Sequence, residues 1–249
     1  MLILITGASS GIGRDMARYL SGKGHKLVLV ARRRDRLEEL ASELGNCEII
    51  ETDLSIKENC IKLYESLKDR NIDVLINNAG FGLFGSFTET PLERELDLIK
   101  TNITAVHILT KLFLKDFSAK NNGYILNVAS IAGFFPGPLL SSYYASKAYV
   151  LRLTLALNEE MRREHKNVHL SALCPGPVKT EFDDVAGVRF SIKGLSSEYV
   201  AKYAIDKMFA GKTIIVPGFM TKAAVFFRHF VSEKFLAKIT YNMQKRKRR

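Results

Sequence analysis

Leu2-Ile-Leu-Ile-Thr-Gly-Ala-Ser-Ser-Gly-Ile-Gly13 decides the reading of this chain. Residues 2–5 are a short, continuous apolar run, which suits a strand buried on both faces of a parallel sheet. The glycine-rich turn from Thr6 to Gly13 follows at once, and a helical pattern from Arg14 to Ser21 comes next. Such a turn lets the backbone approach a pyrophosphate, while the helix N-terminus offers N–H groups and a positive dipole end. The spacing is G-x-x-x-G-x-G rather than the common G-x-G-x-x-G fingerprint. A glycine turn that binds nothing is the plain alternative, so other stretches must decide.

Working outward, apolar runs at 26–30, 48–50, 73–76, 124–129, 168–173 and 213–216 alternate with helical patterns. This alternation predicts an α/β fold built on a doubly wound, mostly parallel sheet with helices on both faces. The 249 residues suffice for one large domain with a sizeable core. At 47% hydrophobic and 25% charged, the composition is globular, not disordered or fibrous. Cys47, Cys60 and Cys174 are scattered, and His25, His107, His165, His169 and His229 lack ligand spacing, so no metal site is expected. Reduced thiols fit a cytoplasmic protein. A first strand at residue 2 leaves no room for a cleaved signal peptide, and no apolar run is long enough to span a membrane.

The chemistry is concentrated in residues 124–147. Tyr143 and Lys147 are four positions apart and share a face if this segment is helical. A lysine cation beside a phenol favours the phenolate, which would bring a tyrosine with an ordinary pKa of about 10 toward use as an acid or base near neutrality. Ser130 closes the apolar run 124–129, and its hydroxyl is placed to stabilise an oxygen that gains charge. Alone, a tyrosine and a lysine at helical spacing are usually ordinary surface or half-buried residues.

The motifs fall in one order: Thr6-Gly7-x-x-x-Gly11-x-Gly13, Asn77-Asn78-Ala79-Gly80, Asn102, Ser130, Tyr143-x-x-x-Lys147 and Pro175-Gly176. Over residues 1–217 the chain resembles the short-chain dehydrogenase/reductase family. The resemblance implies a single Rossmann-type domain, a nicotinamide cofactor, and interconversion of a carbonyl and an alcohol. It also implies a homodimer or homotetramer formed through the helices flanking the catalytic segment. By the same resemblance, Tyr143 would be the proton donor and Lys147 would hold the nicotinamide ribose and tune the tyrosine. Ser130 would bind the substrate oxygen, and Asn102 would kink a helix and support a water chain to the lysine. Tyr144 has no lysine four residues on, so it is not the donor. The cofactor contacts implied are Gly7, Ser9, Ser10, Gly11, Ile12 and Gly13 in the turn, then Asp53 and Leu54. Asn77, Ala79 and Gly80, with Pro175, Gly176, Val178 and Thr180, complete them. Asp53 would take the adenine, and Val178 and Thr180 the carboxamide. A helix cap is the plainer reading of Asp53.

Arg32 lies where NAD enzymes of Rossmann type carry an acid for the ribose 2′-hydroxyl, and no acid follows until Asp35. A guanidinium fork suits a 2′-phosphate, so the expected cofactor is NADP(H), with Arg32 and Arg33 as its ligands and Ser9 and Ser10 adding donors. A basic loop without that role competes for Arg33 and Arg34. The expected substrate wall is apolar: Phe81, Leu83 and Phe84; Phe134, Phe135, Leu139 and Leu140; Phe182, Val185 and Phe190. Such a wall selects by shape and hydrophobicity, favouring a lipophilic ketone of steroid or fatty-acyl type. A 3-oxoacyl reductase with an acidic carrier on the basic surface is the second enzyme reading. A non-catalytic cofactor sensor is a third, against which the intact Ser130, Tyr143 and Lys147 argue.

Residues 1–220 are therefore expected to form the dinucleotide domain, and 221–249 a basic amphipathic helix and tail belonging to it. Residues 222–249 hold nine basic side chains against one acidic, a net +8 of the chain's +11. Phe227, Val231, Phe235, Ile239 and Met243 recur every fourth position. A helix over 222–243 packed on the enzyme or a second subunit is expected. Peripheral contact with an anionic membrane is the alternative. Nucleic-acid binding is not expected, because a basic run by itself says only that polyanions are attracted.

Overall fold

The computed structural model describes residues 1–182, 186, 187 and 194–245. Val185 and Phe190 of the expected substrate wall, and the terminal Arg246-Lys-Arg-Arg249, lie outside them. Seven strands form one parallel sheet: β1 (Leu2–Thr6), β2 (Lys26–Ala31), β3 (Cys47–Glu51), β4 (Val74–Asn77), β5 (Gly123–Val128), β6 (Val168–Leu173) and β7 (Ile214–Ile215). Their order is β3-β2-β1-β4-β5-β6-β7. The helices are α1 (Gly11–Ser21), α2 (Arg34–Leu44), α3 (Lys57–Leu67), α4 (Leu92–Ile99), α5 (Val106–Ala119), α6 (Ser141–Arg163), α7 (Ser197–Phe209), α8 (Phe219–Phe227) and α9 (Glu233–Lys245).

The two-residue period of a strand explains why the predicted strands are apolar throughout. Ile3 and Ile5 of β1, with Leu27, Leu29, Val74 and Ile76, pack against α1, α2 and α7 on one face. Leu4, with Val28, Val30, Leu75 and Ile125, packs against α3 and α5 on the other. Burying one such side chain fully is worth roughly 1.5–3 kcal/mol, so both faces contribute to holding the sheet. The chain order reverses between β1 and β4, and in open α/β sheets the crevice beyond the strand ends at such a reversal binds ligands.

Two boundaries depart from the sequence reading. Helix α1 starts at Gly11, not Arg14, so the second half of the glycine turn is already the first helical turn. The expected helix over 222–243 is two helices. A 3₁₀ turn at Arg228–Phe230 ends the first, and Val231 is extended. The Ser232 hydroxyl then accepts a hydrogen bond from the Phe235 N–H at 3.4 Å, capping the start of α9.

Candidate active site

A cleft of ≈ 740 Å³ runs over the carboxyl ends of the central strands. One end is the glycine turn. Gly7 and Gly11 have φ of +65° and +53°, conformations that disfavour a side chain. A Cβ on Gly13 would meet Asn78 Nδ2 at 2.3 Å and the Gly7 carbonyl at 2.5 Å. The turn is pinned from below by Thr6 and Asn78. The Thr6 hydroxyl accepts the N–H groups of Asn78 and Ala79 at 3.0 and 3.1 Å. Asn78 Nδ2 donates to the carbonyls of Thr6 and Gly7 at 3.1 and 3.0 Å. The result is a rigid cradle lined by Gly7, Ser9, Ser10, Gly11 and Ile12, which fits a pyrophosphate at a helix N-terminus.

Arg33 lies across this cradle. Its guanidinium donates to Ser10 Oγ at 2.9 Å, to Ser9 Oγ at 3.2 Å, and to Glu181 Oε2 at 2.9 Å. Arg36 also pairs with Glu181. The two arginines, Arg36 foremost, hold the Glu181 carboxyl below the usual carboxylate range. Arg32 is more exposed, and among the described residues its ion pair is with Asp53, at 3.9 Å. Both arginines line the cleft, but it is Arg33 that touches the two serines, whereas the sequence reading put Arg32 first. The helix-cap reading of Asp53 is a correction: α3 starts at Lys57 after Ile56 with no side-chain cap, and the Asp53 carboxylate instead accepts the Ser55 N–H at 2.9 Å in the turn before it.

At the other end, Ser130, Tyr143 and Lys147 converge on the cleft wall. Ser130 follows β5 in extended conformation, and its hydroxyl accepts the Ala132 N–H at 3.1 Å. Tyr143 and Lys147 lie one turn apart on α6, with Lys147 Nζ 5.8 Å from the tyrosine ring centre. Lys147 Nζ donates to the Val128 carbonyl at 2.8 Å, which fixes the ammonium at the end of β5. Burial pushes the Tyr143 phenol up to about 12, partly offset by the neighbouring Ser130 hydroxyl. Burial also brings Lys147 down to about 8. The sequence reading had the lysine drawing the phenol toward neutrality. Here desolvation dominates and moves the phenol the other way, above its ordinary value.

Asn102 sits in a π-helical stretch, Lys100–Ala105, between α4 and α5. It does not line the cleft. Its amide accepts the Phe81 N–H at 3.0 Å and donates to the Phe81 carbonyl at 2.9 Å and to Ser146 Oγ at 3.1 Å. A Cβ on Gly80 would lie 2.9 Å from Asn102 Oδ1 and 3.4 Å from Lys147 Nζ. Asn102 therefore ties the Asn77–Gly80 segment to α6 beside Lys147.

The sequence profile of the short chain dehydrogenase family matches residues 1–187. The chain belongs to that family. As a short-chain dehydrogenase it is an oxidoreductase, and its relatives are informative about range. It is 36% identical over 185 residues to human 17-beta-hydroxysteroid dehydrogenase type 3, covering 71% of this chain and 59% of that one. It is 34% identical over 184 residues to a very-long-chain 3-oxoacyl-CoA reductase of Phaeosphaeria nodorum, covering 68% and 52%. The chain thus spans little more than half the length of these two relatives. Among solved structures, a short-chain dehydrogenase from Sphingobium yanoikuyae in complex with NADPH superposes with a TM-score of 0.82 at 30% identity, over 93% of this chain and 96% of that one. A Burkholderia phymatum family member in complex with NAD gives 0.84 at 26%, over 92% of each.

The short-chain dehydrogenase cleft gathers most of the sequence candidates. Leu54, Ala79 and Gly80 line it, as do Pro175, Gly176, Val178 and Thr180 and the substrate candidates Phe81, Phe135, Leu140 and Phe182. Leu83, Phe84, Phe134 and Leu139 do not. Asn77 is a correction. It is buried away from the cleft, where its Nδ2 donates to Thr110 Oγ1 at 3.0 Å and Asn127 Oδ1 at 2.9 Å. Successive strand residues face opposite ways, so it is Asn78 that reaches the turn. Gly13 likewise supports the turn from beneath without lining the cleft. Sequence reasoning missed the far wall altogether: Tyr144, Met220, Thr221, Ala224, Leu236, Ile239, Thr240, Met243 and Gln244. The four-residue recurrence of Leu236, Thr240 and Gln244 is the signal that could have found it.

Proposed function

We propose that this chain is an NADPH-dependent reductase that interconverts a lipophilic ketone and its secondary alcohol. The observation that carries the reading is the convergence of Ser130, Tyr143 and Lys147 in the same cleft as the glycine cradle. The nicotinamide cofactor, when bound, supplies or accepts hydride at the carbonyl carbon. Gly7, Ser9, Gly11 and Ile12 hold its pyrophosphate, and Val178 and Thr180 its carboxamide. Lys147 holds the ribose hydroxyls and keeps positive charge beside the site. Ser130 donates to the substrate oxygen and orients it toward Tyr143. Tyr143 gives its phenolic proton to that oxygen as negative charge develops there. Asn102 acts through Lys147 and Gly80 and is a positioning residue.

The lining of Phe81, Phe135, Leu140, Phe182, Met220 and Met243 supports a lipophilic substrate. The steroid dehydrogenase relative supports it too. A 3-oxoacyl substrate is the second reading, supported by the very-long-chain reductase relative. Exposed Leu92, Leu96 and Ile99 on α4 and Tyr149 on α6 support a homo-oligomer joined there. Residues 221–249 are read as part of the same domain, because Thr240 Oγ1 and Gln244 Nε2 bond Pro136 O and Tyr144 OH, both at 2.7 Å. Three unpaired cysteines support a reducing, cytoplasmic compartment.

The cofactor preference rests on Arg33 over Ser9 and Ser10. A charge-assisted contact is worth roughly 1.5–3 kcal/mol, so Arg33→Ala is expected to weaken NADPH binding at least about tenfold and to affect NADH far less. Arg32→Asp is expected to act in the same direction. Titrating both cofactors into wild type and variants checks this. Equal wild-type affinity for NADH and NADPH overturns the preference. A panel of steroid, fatty-acyl and polar ketones, followed by NADPH consumption, tests the reaction. No turnover with any of them would sink the enzyme reading.

The reductive pH profile follows from the same groups. Lysine is cationic below its pKa, so Lys147 carries charge up to about pH 8 and loses it above. Tyr143 stays protonated over that range. Reductive kcat is expected to be level below pH 8 and to fall above it. A profile that instead rises steadily through pH 9 contradicts the assignment.

A further inference from the structure

Helix α9 is packed the opposite way round from an ordinary amphipathic helix. Its buried stripe is Leu236, Thr240 and Gln244, and two of these three are polar. They are held by hydrogen bonds to Pro136 O and Tyr144 OH. The apolar stripe one position earlier, Phe235, Ile239 and Met243, is exposed. The preceding helix is similar. Phe219 and Met220 are 86% and 82% exposed, and Phe226, Phe227 and Phe230 are 61%, 62% and 74% exposed. The last three touch one another, with ring centres 5.4–6.5 Å apart. So many large apolar side chains on one terminal segment are more than scattered surface hydrophobics.

This surface continues into the cleft. Met220, Ala224, Ile239 and Met243 are exposed and line it, so they form its rim. The mouth on this side is therefore apolar. Around it stand exposed Lys222, Lys234, Lys238 and Lys245, followed in the sequence by Arg246-Lys-Arg-Arg249, with Glu233 as the lone acid of residues 222–249.

We propose that the α8–α9 face docks on an anionic lipid surface and opens the substrate cleft toward it. Charge chooses the occupant. Two copies of this chain pairing through the same patch would bring two +8 segments together, which is repulsive. Anionic headgroups attract the lysines and arginines, while the phenylalanines enter the headgroup–acyl boundary. No helix among the described residues is long and apolar enough to cross a membrane, so the contact is peripheral. A ketone dissolved in the bilayer would reach Tyr143 without passing through water. That last step rests on the lipophilic-substrate reading above, whereas the docking does not.

The test uses the full chain and phosphatidylcholine vesicles with and without phosphatidylserine. The protein is expected to sediment with the anionic vesicles only, and raised salt is expected to release it. Two variants separate the contributions: Phe226→Ser/Phe227→Ser/Phe230→Ser, and the chain lacking 246–249. Each is expected to bind the vesicles at least about tenfold more weakly. The three phenylalanines do not line the cleft, so melting temperature and turnover of a water-soluble ketone should hold for the serine triple, and both are expected to hold for the deletion. The deletion removes no apolar side chain, which leaves a usable variant if the serine triple fails to fold. No sedimentation, or equal sedimentation with neutral vesicles, overturns the proposal. So does a smaller particle for the serine triple in vesicle-free sedimentation velocity, which would make the patch a subunit contact. Vesicle binding by a chain that reduces no ketone would leave the docking standing and remove the enzymatic reading instead.

Discussion

Tyr143→Phe is expected to lower kcat by roughly 10²–10⁴-fold, the range for losing a positioned proton donor, while NADPH binding stays near wild type. The variant removes one oxygen and keeps the ring, so the 5.2 Å packing against Phe182 persists. Tyr144→Phe is the control. Its hydroxyl bonds Gln244 Nε2, so the loss is one hydrogen bond, roughly 0.5–1.5 kcal/mol of stability, with most turnover retained. Single-turnover kinetics with a fluorescence titration of cofactor separate the two effects. If Tyr144→Phe is the inactive variant and Tyr143→Phe the active one, the assignment of the proton donor is wrong.

Gly13→Ala is expected to damage both fold and cofactor site. The new methyl would press on Asn78 Nδ2 and on the Gly7 carbonyl, at 2.3 and 2.5 Å. Asn78 cannot withdraw without dropping its bonds to Thr6 and Gly7, and the carbonyl is backbone. Overpacking of this kind costs roughly 1–3 kcal/mol. In a chain of this size that lowers the melting temperature by roughly 2–4 °C per kcal/mol. The turn must also move from the position that receives a pyrophosphate, so cofactor affinity is expected to fall at least about tenfold. Calorimetry and cofactor titration read the two losses separately. A variant with unchanged melting temperature and affinity would show that the turn is not the rigid cradle described.

The sheet was legible because a strand buried on both faces must be apolar at every position, and Leu2–Ile5, Lys26–Val30 and Val168–Leu173 are nearly so. The cradle was legible because Gly7 and Gly11 occupy left-handed conformations that leave a mark in the sequence. What failed was resolution to one residue. Asn77 and Asn78 are the same side chain on opposite faces, and Arg32 and Arg33 differ only in which way the end of β2 aims them. No local pattern separates such neighbours. The far wall of the cleft was hidden for another reason. The bonds that seat α9, from Thr240 to Pro136 and from Gln244 to Tyr144, join residues 104 and 100 positions apart. The more apolar stripe beside them is exposed, so hydrophobicity did not mark the face that seats the helix.

The sheet ends at Ile215, and among the described residues after Gly218 none lies in a strand. Yet α8 and α9 supply a whole side of the chamber where the substrate would lie. One wall of the chamber is thus contributed by a segment that lies outside the sheet altogether. Substitutions on α8 and α9 can therefore reshape that wall without altering a single strand of the sheet.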